Sequence, residues 1–187
     1  MNTSRFILLL FFLASLAESP AQSREDIRQV TAVYNDISAI VNKGKFEDIG
    51  RFIYPGTGVI EIIDPDGIPY PILHADAGMA KLQGLFISAP VKTPEEASLP
   101  EFDCNIGMWT RTGTFISGVK GYPLLEEILP GAEEVSYIDK RMLEVIKLLK
   151  NQVSMVVMTT DESILGFYKK EGVWWLGIVD NSFQCVE

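Results

Sequence analysis

The spacing of apolar residues changes character twice along this chain. From Ile27 through Val30, Val33, Tyr34, Ile37, Ile40 and Val41 they recur every three or four positions until Gly44, which gathers them on one stripe of an amphipathic helix. Ser23 stands where an N-cap belongs, and Glu25 and Asp26 suit the positive end of the helix dipole. Lys45 to Ile53 predicts a short second helix, ended by Pro55-Gly56. A helical repeat returns from Glu133 to Asn151, where Val135, Ile138, Met142, Val145, Ile146 and Leu149 share a stripe. Acidic residues open that segment, and Lys147 and Lys150 close it.

From Gln152 to Cys185 the residue types change to β-branched and aromatic, with short polar interruptions at 160–163 and at Glu171-Gly172. This predicts three consecutive antiparallel strands joined by hairpins. Alternation sets Val153, Met155 and Val157 against Ser154, Val156 and Met158, and Trp174, Leu176 and Ile178 against Val173, Trp175 and Val179. Both faces are apolar, so one needs the chain's own helices and the other a further helix, a partner subunit or a ligand.

Between these segments the signals are shorter. Val59 to Ile63 reads as a strand, Ile68 to Leu73 as an extended stretch, and Asp76 as the cap of a helix running to about Phe86. A polar loop covers Ser88 to Pro100. Phe102 to Cys104 and Met108 to Val119 are strand-like, with Gly107 in a turn and Gly113 at a bulge. Gly121 to Leu129 forms a short helix closed by Pro130-Gly131. Helices precede strands, which indicates α+β.

Composition adds an address. The apolar run from Phe6 to Leu13 follows Arg5 and precedes Ser15-Leu16-Ala17 and Ser19-Pro20-Ala21, the layout of a secretory signal peptide cleaved after Ala21, or after Ala17. The expected organisation is a signal peptide at 1–21 and one α+β domain at 22–187, periplasmic or extracellular and without a membrane anchor. In an oxidising compartment Cys104 and Cys185 read as a disulfide, with two buried free thiols as the alternative. Closing a loop of about 80 residues contributes roughly 4 to 5 kcal/mol in the chain-entropy model. A formal net charge of -9 argues against nucleic acid, which requires a basic footprint.

The chemistry-bearing residues are few. No P-loop, G-x-S-x-G, H-E-x-x-H or Rossmann glycine pattern is present. Asp64-Pro65-Asp66-Gly67 has the carboxylate spacing of part of a calcium loop. However, Ile62 and Leu73 stand where its end ligands belong, so a turn is expected and no metal. Two cysteines and one histidine are too few for a structural zinc site, and no cofactor is implied. His74 is the one imidazole. With Asp76 two residues on it could form an acid–base pair, or sit in a loop or pack while Asp76 caps a helix. Tyr70, Trp109, Arg111, Tyr168 and Trp175 are candidate ligand-binding residues, with ordinary sheet packing as the alternative.

Four stretches carry a resemblance: F-I-Y-P-G-x-G-V at Phe52 to Val59, F-D-C-N at Phe102 to Asn105, W-T-R-T-G-T-F at Trp109 to Phe115, and G-V-W-W-L-G-I-V at Gly172 to Val179. With the long N-terminal helix they resemble secreted Bacteroidetes proteins of the nuclear-transport-factor-like, or cystatin-like, superfamily. The resemblance implies a curved antiparallel sheet wrapped around that helix in a cone. That fold hosts isomerases and dehydratases beside non-enzymatic modules, and no catalytic residue carries over. The expectation is a non-enzymatic domain that binds a small ligand or a protein partner, with homodimerisation through the sheet. The alternative is a pocket enzyme of isomerase, lyase or hydrolase type using His74 and a carboxylate.

Overall fold

The computed structural model describes residues 23–64, 68–75, 82, 87, 94–134 and 138–182. Helix α1 spans Arg24–Asn42, and the Ser23 side chain accepts a hydrogen bond from the Asp26 backbone N–H at 3.1 Å, as an N-cap should. A 3-10 helix follows at Phe46–Phe52. Nine strands are described: β1 Val59–Ile63, β2 Tyr70–His74, β3 Glu95–Glu96, β4 Phe102–Asp103, β5 Met108–Trp109, β6 Thr114–Gly118, β7 Met155–Thr159, β8 Ile164–Lys170 and β9 Val173–Asp180. Helices α2, Pro123–Glu134, and α3, Lys140–Gln152, fall between β6 and β7.

The three expected C-terminal strands are β7, β8 and β9, and they form the middle of a seven-stranded sheet ordered β2-β1-β9-β8-β7-β6-β3. The sheet is mixed, not wholly antiparallel. β1 runs parallel to β9 and β3 parallel to β6, while the other pairs are antiparallel. The two-residue strand β3 lies inside the segment expected to be loop, too short to show in residue pattern.

Both faces of the sheet are covered by the chain itself. On one side Val30, Tyr34 and Ile37 of α1 pack with Val59, Met155, Val157, Leu165, Phe167, Leu176 and Val179. The Lys169 ammonium reaches Asp26 at 2.7 Å and ties β8 to the first turn of α1. On the other side Leu125 of α2 and Val145, Ile146 and Leu149 of α3 pack with Ile60, Ile62, Val156, Met158, Tyr168 and Ile178. The second layer that the doubly apolar strands demanded is therefore the α2–α3 pair.

Two helix boundaries differ from the sequence reading. α2 continues through Pro130 because that residue lies on the exposed side, where solvent can reach the carbonyl that proline leaves unpaired. α3 begins at Lys140, where Asp139 accepts from the Met142 N–H at 2.7 Å. A cap of that kind outweighs the weaker apolar periodicity before it. The expected strand at 108–119 is broken at 110–113, and the expected helix starting at Asp76 lies outside the described residues.

The expected alternation along β9 also fails, at Gly177. Gly166 pairs with Ile178 but Phe167 pairs with Leu176, so Gly177 is an extra residue, a β-bulge. Trp174 and Leu176 face α1, and beyond the bulge Ile178 turns toward α2 and α3 while Val179 faces α1. A Cβ at Gly177 would stand 2.8 Å from the Leu149 side chain and 2.9 Å from the Tyr168 ring, so the bulge needs glycine. Gly177→Ala should lower the unfolding free energy in urea by about 1–3 kcal/mol through overpacking. Gly131→Ala on α2, where nothing lies within 4 Å, should raise it by roughly 0.5–1 kcal/mol. An unchanged midpoint for Gly177→Ala would contradict the packing.

Candidate functional site

The polar groups of interest gather where the parallel strands β1 and β9 end. In the β1–β2 register Val59 faces His74 and Glu61 faces Ile72, which makes Glu61 and His74 diagonal neighbours on one face. The His74 Nε2 lies 2.7 Å from Glu61 Oε2, with the side chains 16% and 4% exposed. A carboxylate so deep in a sheet is tolerable only when paired and hydrogen-bonded.

The parallel pairing supplies the next contact. Glu61 lies opposite Val179, and two residues beyond Val179 the Asn181 backbone N–H donates to the Ile62 carbonyl at 2.8 Å. The Asn181 side-chain amide donates to Glu61 Oε1 at 3.2 Å. Ser163, just before β8, donates its hydroxyl proton to Asn181 Oδ1. Four side chains from four segments thus form one chain, Ser163–Asn181–Glu61–His74, on the α1 side of the sheet.

Asp180 points to the opposite side. The Tyr122 hydroxyl donates to its Oδ2 at 2.5 Å, and the Ser182 N–H and hydroxyl donate to Oδ1 at 2.9 and 2.6 Å. Burial pushes the Asp180 carboxyl up. The donors Ser182 and Tyr122 pull it back, and the charge of Asp64 adds to the rise. Burial, reinforced by Asp180, holds the Tyr122 hydroxyl well above the usual phenol range. One oxygen of Asp64 is itself buried without a hydrogen-bond partner among the described residues.

Of the candidates read from sequence, His74 is at this site, on a strand and not in a loop. Asp76 lies outside the described residues; the carboxylate on His74 is Glu61. Tyr168 and Trp175 are cross-strand partners on the α2–α3 side. Burial pushes the Tyr168 hydroxyl up and Thr57 pulls it back, while no hydrogen-bond partner of normal geometry stands beside it among the described residues. Trp175 donates to the Lys170 carbonyl at 3.3 Å and meets Tyr54 edge-on, ring centroids 5.3 Å apart. Trp109 donates to Asp161 at 3.1 Å. Arg111 lies 4.7 Å over the Phe115 ring and donates to the Ser98 carbonyl. Tyr70 is on edge strand β2 and Arg111 precedes β6, five strand positions away, so strand spacing alone separates them by roughly 20–25 Å.

Cys104 lies in the β4–β5 turn, and no free cysteine stands among the described residues. Cys185, its expected partner, lies outside them, as do residues 1–22 and 65–67. Among the described residues no group of three or more His, Cys, Asp or Glu is placed to hold a metal, and no helix is long and apolar enough to cross a membrane. No protein-family model, curated protein or solved structure matches this chain.

Sequence reasoning missed Glu61, Asn181, Ser163, Tyr122 and Asp180. One signal was present: Glu61 is a lone charge inside V-I-E-I-I, and a charge in an apolar strand needs a buried partner. Its partners are His74, set by the register with the next strand β2, and Asn181, brought from about 120 positions along the chain by the pairing of β1 with β9.

Because the folded state holds the Asp180 proton more tightly than the unfolded chain, stability from this group is full below the ordinary Asp range. It is lost as pH rises from there through the folded value. In thermal melts across that window, the melting temperature of Asp180→Asn minus that of wild type should grow as pH rises. A difference independent of pH would contradict the assignment.

Proposed function

We propose that the protein is an exported binding domain without catalytic activity, which takes a small ligand or a protein partner at the β1–β2 margin of the sheet, around His74. The observation that carries this reading is the His74–Glu61 contact at 2.7 Å. An apolar pair in that position would cost less to bury, so the pair has a use beyond packing. His74 Nδ1 has no hydrogen-bond partner among the described residues, which leaves it for a ligand. Export rests on the signal-peptide pattern at residues 1–21, and a Cys104–Cys185 disulfide belongs with it. A second copy of the chain is one candidate partner. Since α1 and the α2–α3 pair already cover the two sheet faces, self-association would use the margin. Kinship with the nuclear-transport-factor-like superfamily, cone shape included, is part of this proposal, supported by the four motifs and by an N-terminal helix on a sheet.

A second reading is favoured by the same contact. A carboxylate-oriented imidazole is the usual form of a general base, which fits an isomerase, lyase or hydrolase using His74 with Glu61. A thermal-shift screen of small molecules, with light scattering for mass, should be run on wild type and His74→Gln. Hits, or a dimer, lost in His74→Gln are expected. A monodisperse monomer without hits would overturn the binding reading, and turnover of carbonyl or ester substrates that vanishes in His74→Gln would replace it with the enzymatic one.

A further inference from the structure

The order of donors and acceptors around Glu61 fixes more than position. A deprotonated Glu61 can only accept, so the Asn181 group facing its Oε1 at 3.2 Å must be the amide nitrogen. The reversed amide would oppose two acceptors. With the nitrogen so placed, Asn181 Oδ1 faces the Ser163 hydroxyl and receives its proton. On the other oxygen of Glu61, the His74 nitrogen 2.7 Å away must likewise donate. A neutral imidazole carries a single N–H. It is therefore on Nε2, and Nδ1 is left with a lone pair.

We infer that the Ser163–Asn181–Glu61 chain sets His74 in its Nε2–H tautomer, so that the site accepts a hydrogen-bond donor, an ammonium or a hydroxyl, and rejects a carboxylate or phosphate. This rests on the reading that the ligand docks at His74. Ser163 and Asn181 are then positioning residues that act through Glu61. The buried carboxylate adds a negative potential behind the ring, which favours a cation in the same place.

His74 is the single histidine of the chain, so the imidazole nitrogens of the uniformly 15N-labelled full chain give one ring spectrum without assignment. At a pH where that spectrum reports the neutral ring, the expected pattern is a protonated Nε2 and an unprotonated Nδ1. Glu61→Gln, whose amide can turn either group to the ring, should move it toward a mixture of tautomers. Asn181→Leu and Ser163→Ala, which release the Glu61 carboxylate from its set orientation, should do so more weakly, all three checked for folding by their amide spectra. The wild-type pattern kept in every folded variant overturns the inference, and the wild-type pattern alone decides the point if none folds. Methylammonium chloride titrated into wild type should shift the Nδ1 resonance, and sodium acetate should not. An Nδ1–H tautomer, or a larger shift with acetate, overturns the inference whatever binds there. The expected tautomer with no shift from either probe instead overturns docking at His74.

Discussion

A strand that is apolar on both faces cannot be left half covered, and β7, β8 and β9 are such strands. Exposing either face would leave more contiguous apolar surface than a soluble chain tolerates. The order of elements follows from that constraint. The helix before the sheet, α1, takes one face, and the two helices inserted before β7 take the other. Buried hydroxyls within the α1 layer satisfy one another, Tyr34 with Thr159 at 3.2 Å and Thr114 with Thr159 at 3.1 Å, so the layer closes without stranded polar groups at that point.

Double coverage leaves the margins and ends of the strands as the places where polar chemistry can reach solvent. β1 joins the central strands on the β9 side in parallel, and that direction decides the site. It sets the end of β1 beside the end of β9, so residues about 120 positions apart in sequence meet across a single strand pairing. Alternation then divides them. Glu61 and Asn181 face α1 with His74 and Ser163, while Asp180 faces α2 and α3 with Tyr122. The Gly177 bulge matters here because it resets which side each residue after it occupies. Regular alternation from Trp174 would have carried Asp180 to the α1 side.

How much was readable in advance depended on the range of each determinant. Helix α1, its Ser23 cap and the three closing strands were legible, because periodicity and caps are local. The need for a second covering layer was legible too, although α2–α3 could not be told from a partner subunit. The α3 start was misjudged because the Asp139 cap outweighs a few periodic residues, and α2 passed Pro130 because exposure, which sequence does not give, makes proline tolerable there. His74 was legible by its rarity. Its partner was not, since Glu61 reaches it through the β1–β2 register, and Asn181 reaches Glu61 through a parallel pairing that no local pattern encodes.

That parallel pairing and the buried contact it creates hold the site together. A double-mutant cycle on Glu61→Ala and Asn181→Ala, measured by urea unfolding at neutral pH, tests this directly. If β1 and β9 pair as described, the two changes should be coupled by about 0.5–3 kcal/mol, with the double variant losing less stability than the sum of the singles. Additivity within roughly 0.3 kcal/mol, as for residues that never meet, would contradict it.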